Sequence, residues 1–401
     1  MRLVFSPSRL CGSISVPQSK SCAIRHIIAS CLADGESTIK NIGCSDDIKA
    51  TIVCLNSLGA KAEVCGSDLS IKGTSSLPAV TKKDIMTGDS ATLLRFVIPL
   101  CMNGTGTHRF RLSKQLANRP LSVYSELFSG EDYTFRLDNN VLEVGGKLHS
   151  GRFDFPGNIS SQFAGGLMFA LPRLDGDSEI VMTGRCGSEG YIDLTSNVLK
   201  EHGVVAERRQ NRINIRGNQS FCGGVFKVEG DFSAGAMLDA LNSGENEVKV
   251  LGLPEKSLQP DAIYRELFEK IKKGGAEINV DACPDLAPIL MTLAAMHGGA
   301  TLLGTERLAY KESARAQTVA AEMRKFGADI SVDSDRVIVR EAYLRAPDEP
   351  CSSHGDHRVA MALTPLLLRF GGILDGAEAV GKSFPDFFGL LRGIGANIKE
   401  E

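Results

Sequence analysis

Gly299–Ile330 reads GATLLGTERLAYKESARAQTVAAEMRKFGADI. In order it holds a glycine turn, a short β-like run, a loop and an amphipathic helix with Val319, Met323 and Phe326 at three- and four-residue spacing. Gly327 then closes the helix ahead of a second β-like run. Lys311, Glu312 and Arg315 crowd the helix entry, where helical spacing would set them on one face. Two cations around one carboxylate at a helix start suit an anionic ligand. Read alone, they suit a solvated ion-pair cluster better, worth about 0.2–0.5 kcal/mol per pair.

The same order of features recurs. Further copies open at Gly35, Gly106, Gly176, Gly244 and Gly371, and their closing glycines are Gly59, Gly130, Gly203, Gly275 and Gly395. Between successive copies lie stretches that are apolar all round: Ser90–Cys101, Ser161–Leu171, Ala234–Leu241, Leu286–His297 and Arg358–Phe370. Helices of that kind must be buried. A full unit of roughly 55–75 residues is too long for a solenoid repeat. The expected fold class is therefore α/β (α+β): six mixed units, three per domain, with apolar helices inside and sheets outside, an inside-out α/β barrel. Val228–Met237, VEGDFSAGAM, reads as strand, turn and helix, and a crossover there would pair with one near Ser15–Lys20. The expected domains are 1–17 with 228–401, and 18–227.

Bulk properties narrow the function. The chain has 401 residues, 43% apolar and 23% charged, as expected of two or three globular domains. A net charge of −3 gives no global attraction to nucleic acid or anionic membrane, so anion binding must come from local basic clusters. No apolar run reaches transmembrane length, and MRLVFSPSRLCGS lacks a secretory core, so a cytoplasmic protein is expected. Eleven cysteines without a C-x-x-C pair read mostly as small buried hydrophobes. Cys351, His354 and His357 lack a fourth ligand, and no metal is expected there. GAEAVGKS at Gly376–Ser383 fits the P-loop pattern, but Pro385 and the short remaining chain deny it the strand–loop–helix context.

Several local patterns suit anionic substrates. In SVPQSKSCAIR, Ser19 or Ser21 caps a helix with Lys20 at its mouth and Arg25 one turn in. Gly88–Phe96 (GDSATLLRF) and Ser160-Ser161-Gln162 are small or polar turns leading into apolar helices, where backbone amides can approach a ligand. Ser188, Tyr191 and Arg119 occupy the matching loops of other units. Asp285 opens a buried helix, where an N-cap is the commoner role, and Asp46-Asp47 likewise cap a helix. Gly355-Asp356-His357-Arg358 is too dense in chemistry for surface filler.

Read in order, SVPQSKSCAIR, GDSATLLR, ANRP, ISSQF, SEGYIDLT, VEGDFSA, PDLAP, YKESARAQ, GDHRVAMA and GKSFPDF resemble the enolpyruvyl transferases of the shikimate pathway over essentially the whole chain. The resemblance implies two domains of three βαβαββ units, with the active site in the interdomain cleft. It implies transfer of the enolpyruvyl group of phosphoenolpyruvate to the 5-hydroxyl of shikimate 3-phosphate, by a monomer without metal or organic cofactor. By the same resemblance Lys20, Ser21, Arg25, Ser160, Ser161, Gln162, Ser188, Asp285 and Lys311 contact shikimate 3-phosphate. Lys20, Ala91, Arg119, Gln162, Arg315, Arg358 and Lys382 line the phosphoenolpyruvate side. Asp285 would accept the hydroxyl proton, Glu312 would protonate the methylene carbon, Lys20 would assist, and Tyr191 and His357 would support the region. Cations beside Glu312 favour its ionised form, so bound phosphoenolpyruvate is expected to offset them before Glu312 can act as an acid.

The chain departs from the family pattern at Gln18, Ala314 and Arg307. Ala91 stands where glycine is usual, and the added methyl should obstruct the inhibitor glyphosate. Two alternatives remain. A UDP-N-acetylglucosamine enolpyruvyl transferase would carry a cysteine on its closing loop, and His108–Arg119 has none. A non-catalytic binder of phosphorylated metabolites would have lost Asp285, Glu312 or Lys20.

Overall fold

The computed structural model describes residues 1–74, 78–79 and 83–401. The chain divides into two compact units, Met1–Pro17 with Gly230–Glu401, and Gln18–Glu229. The return crossing falls at Glu229/Gly230, slightly beyond the Val228 read from sequence. Each unit has its own apolar core.

The βαβαββ order is plainest at Ala276–Arg340. Strand Ala276–Asn279 leads through the buried helix Ala287–Met296 to the parallel strand Ala300–Leu303. Helix Arg315–Arg324 follows, and the hairpin Asp329–Val332/Arg336–Arg340 returns antiparallel to Ala300–Leu303. Period-2 alternation explains the last strand, since Val337 and Val339 are buried while Arg336 and Arg340 face solvent. Ala287–Met296 is apolar all round and buried; its one hydroxyl, Thr292 Oγ1, donates to Ala362 O on the neighbouring buried helix His357–Phe370 at 2.8 Å.

Two units borrow a strand across the chain. Val225–Lys227 pairs parallel with Gly35–Lys40, and Arg2–Ser6 fills the sheet of Gly372–Asp375 and Asn397–Glu400. Among the described residues five sheets have four strands, and the sheet of Cys11–Ser15 and Glu247–Leu251 has two. Ala276–Ile278, after Gly275, is the β-like run expected to close the Gly244 copy. Instead that segment opens the next sheet. The edge left beside Glu247–Leu251 is partly satisfied by Asn242, whose side-chain amide pairs with both backbone groups of Val248.

Five of the six closing glycines have positive φ; Gly130 does not. Within Gln18–Glu229, helices Ala91–Leu100 and Ser161–Ala170 pack unusually close because Gly165 and Gly166 lie at the contact. A Cβ on Gly166 would overlap Arg95 O, and one on Gly165 would meet Phe96. That approach lets side chains near the two helix starts bond one another.

Candidate active site

In the Gln18–Glu229 unit, Ser19 caps helix Lys20–Leu32, its hydroxyl accepting from Cys22 N at 3.4 Å. Lys20, the first helical residue, pairs with Asp47 at 3.0 Å. Ser45 holds the N-cap position of the Asp46–Ser57 helix without a side-chain cap bond, and Asp47 pairs with Lys20 and is not the cap expected of it. Arg25 is buried one turn into its helix and donates to Thr195 Oγ1 and Ser21 O, both at 2.8 Å, and to Tyr191 O at 3.3 Å. Burial lowers its pKa to about 10, which leaves it charged at neutral pH. Its hydrogen bonds all go to neutral oxygens, so the positive charge is held in place without being cancelled.

A second knot lies alongside. Ser160 caps helix Ser161–Ala170 and accepts from Gln162 N at 3.3 Å. Gln162 Oε1 accepts from Arg95 Nη1, and Gln162 Nε2 donates to Thr92 Oγ1, each at 2.7 Å. Arg95 also donates to Pro120 O at 2.7 Å, fixing the chain beside Arg119. Phe96 links the knots, for the Arg25 guanidinium lies 5.1 Å from its ring centre. Ser161 and Ala91 are the first residues of their helices and are placed by that position, not by a side-chain bond to Arg25. Ser188 precedes helix Glu189–Glu201 with a left-handed backbone, φ 57°. Arg95, Thr92 and Thr195 were given no role from sequence. Arg95 was nonetheless visible as a lone charge in an otherwise apolar helix.

The unit of Met1–Pro17 and Gly230–Glu401 holds a denser cluster. Helix Arg315–Arg324 starts only at Arg315, and Lys311 and Glu312 lie in the loop before it. The shared helical face expected for them is therefore not how they meet. Arg315 is 1% exposed and gathers three carboxylates. Nη1 donates to Asp285 at 2.8 Å, Nη2 to Glu312 at 2.6 Å, and Nε to Asp356 at 2.9 Å. Burial works against the charged guanidinium, yet Asp356, Glu312 and Asp285 raise its pKa above the ordinary value. Lys382 approaches the other oxygen of Glu312 at 3.7 Å.

Asp285 is not a helix cap, because Leu286 occupies that position. Its Oδ1 meets Lys311 at 3.3 Å, and Arg358 stands 3.7 Å from Oδ2. Burial alone would raise its pKa, but Lys311, Arg358 and Arg315 outweigh burial and hold the carboxyl well below the usual carboxylate range. Burial conversely lowers the pKa of Lys311, against the pull of Asp285. Asp356 caps helix His357–Phe370, accepting from Arg358 N at 2.9 Å, and receives Ser313 at 3.1 Å. His357 is buried beside it, its Nδ1 3.8 Å from Asp356 Oδ1. Behind Arg358, Asp261 is buried and accepts from Ser233; burial and the nearby Asp285 charge push it up to about 7.

Arg307 is buried and 3.5 Å from Asp281, a pairing that accounts for a guanidinium at that departure from the family pattern. Ala314 is the residue before helix Arg315–Arg324 and gives no side-chain cap. Ala377–Lys382 forms a 3-10 helix, unlike the α-helix that follows a phosphate-binding loop. Among the described residues no three His, Cys, Asp or Glu side chains are grouped to hold a metal, and no helix is long and apolar enough to cross a membrane.

The family described as EPSP synthase (3-phosphoshikimate 1-carboxyvinyltransferase) matches residues 4–391. The chain is 36% identical to the 3-phosphoshikimate 1-carboxyvinyltransferase of Clostridium novyi, over 98% of this chain and 97% of that one. It is 34% identical to the enzyme of that name from Clostridioides difficile, over 99% and 98%. The fold is similar to the structure of EPSP synthase from Acinetobacter baumannii, with a TM-score of 0.80, 20% identity and 99% of each chain covered. With the family pattern spanning nearly every residue and full-length relatives above 30% identity, the chain belongs to the EPSP synthase family.

Proposed function

We propose that this chain transfers the enolpyruvyl group of phosphoenolpyruvate to the 5-hydroxyl of shikimate 3-phosphate, the 3-phosphoshikimate 1-carboxyvinyltransferase reaction of aromatic amino acid biosynthesis. The observation that carries the reading is Arg315 bridging Asp285 and Glu312 inside a ring of cations. Two carboxylates tied to one guanidinium supply a proton acceptor and a proton donor for addition across one double bond.

In the proposed sequence Asp285 takes the 5-hydroxyl proton as that oxygen bonds to C2 of phosphoenolpyruvate, while Glu312 delivers a proton to C3. The product is a tetrahedral ketal. Loss of a C3 proton as phosphate departs restores the double bond. Glu312 lies 2.6 Å from Arg315 and 3.7 Å from Lys382, the cations assigned to phosphoenolpyruvate. The incoming carboxylate and phosphate compete for those cations and so favour the protonated acid. Arg358 and Arg119 add to the same field, and Ala91 adjoins it. Lys20, Ser21, Arg25, Ser160, Ser161, Gln162, Ser188 and Lys311 hold shikimate 3-phosphate, with Tyr191 packed against Arg25 and His357 behind Asp356. We take the two clusters to serve one reaction on one pair of substrates. A single cytoplasmic copy is the proposed working unit, with no cofactor.

Phosphate release from phosphoenolpyruvate tests this reading. Release with shikimate 3-phosphate as acceptor is expected, and none with UDP-N-acetylglucosamine. The reverse preference, or no release with either, would contradict it.

A further inference from the structure

Two turns beyond Arg315, on the same helix, Glu322 is 3% exposed and uses both carboxylate oxygens. Oε1 meets His354 Nε2 at 2.8 Å. Oε2 accepts from Ser352 N at 2.9 Å and pairs with Lys325 at 3.0 Å. His354 and Gly355 have φ of 51° and 69°, two successive left-handed residues. An imidazole-bearing residue is held in that region at a cost of about 1–2 kcal/mol, so something must fix it there. The turn they make delivers Asp356 to Arg315 and to Arg358 N. One helix thus grips the Ser352–Asp356 turn at two points, Glu322 at the far end and Arg315 at the site.

We propose that Glu322 and His354 are positioning residues for phosphoenolpyruvate: their pairing fixes the left-handed turn that sets Asp356, and through it the Arg315 guanidinium and the start of the helix that carries Arg358. The proposal rests on the assignment of those arginines to phosphoenolpyruvate. His354 side-chain exposure is 45%, so replacing it empties no core.

The test measures KM for each substrate, kcat and the thermal midpoint for His354→Ala, His354→Gly, His354→Gln and Arg358→Lys. Loss of a bond to a buried charge predicts a rise of about tenfold in KM for phosphoenolpyruvate in the Ala variant, with KM for shikimate 3-phosphate within about twofold. The Gly variant should be impaired similarly, because a relaxed backbone without the ring leaves the turn unfixed. The Gln amide, able to donate to Glu322, should recover most of the loss. An unchanged KM in His354→Ala, a normal KM in His354→Gly, or an equal rise for both substrates would overturn the proposal. If Arg358→Lys also left KM for phosphoenolpyruvate unchanged, the assignment of the arginines would be what failed.

Discussion

The two charged clusters are built on opposite principles. In Gln18–Glu229, Arg25 is buried among neutral oxygens of Ser21, Thr195 and Tyr191, which orient its guanidinium without cancelling it, and Gln162 and Pro120 accept from Arg95. In the other unit Arg315, Lys311, Arg358 and Lys382 are matched by Asp285, Glu312 and Asp356. An uncancelled buried cation is ready to hold a fixed anion such as a phosphate. A compensated cluster can hand charge and protons between members when an anion arrives. On the proposed assignment, the difference would make one unit the grip and the other the chemistry.

The largest expected effect breaks the chemistry alone. Asp285→Asn and Glu312→Gln should each lower kcat by about 10²–10⁴-fold, the usual size of a lost general acid or base, in single-turnover phosphate release. Near-normal turnover in either variant would remove that residue from the mechanism. Breaking the grip should look different. Arg25→Ala loses charged hydrogen bonds and should weaken shikimate 3-phosphate binding by about 10–100-fold by equilibrium titration.

Acid should also separate the units. His26 and His202 form a buried pair at 3.3 Å in Gln18–Glu229. Burial, with Arg25 against His26 and then His26 against His202, lowers their pKa to about 4 and about 3. The unfolded chain, with imidazoles near 6.5, binds more protons in that window, so this unit loses stability as pH falls from about 6.5 towards 4. The slope is about 1.4 kcal/mol per pH unit for each ring. Asp261 in the other unit is raised to about 7, so there the folded state binds the extra proton between about 3.8 and 7. The Asp261 contribution therefore grows as pH falls through the same window, against the loss from His297 of that unit, whose imidazole burial holds below its usual value. Urea titrations at pH 7 and pH 5, with probes in each unit, check the divergence, and His26→Gln should flatten the Gln18–Glu229 response.

The smallest expected effect concerns one methyl. Ala91 opens helix Ala91–Leu100 and is 6% exposed. Ala91→Gly should tighten glyphosate inhibition by about tenfold if the methyl crowds the phosphoenolpyruvate side, with the parent chain weakly inhibited. Tight inhibition of the parent, competitive with phosphoenolpyruvate, would contradict this.

Much of this architecture is legible in the sequence because glycine turns and all-apolar helices are local signals. The sheet joined by strand Ala276–Asn279 escaped because hydrophobic alternation does not say which edge a strand will join. Within the site, residue types were readable and geometry was not. Spacing placed Lys311 and Glu312 on a helix, but Arg315 is held by Asp356, distant in sequence, and the helix begins there. Asp285 looked like a cap for want of any local sign that Lys311, Arg315 and Arg358 surround it. Glu322 gave no signal, since an acid on an amphipathic helix is ordinary, and the spacing of His354 with Cys351 and His357 pointed only to a metal site without a fourth ligand.

The division between grip and chemistry is tested most directly by calorimetric binding of shikimate 3-phosphate to Asp285→Asn. The account predicts affinity within about threefold of the parent, because a neutral amide still hydrogen-bonds the hydroxyl while Arg25 keeps the phosphate. Loss of binding as severe as that of Arg25→Ala would contradict it.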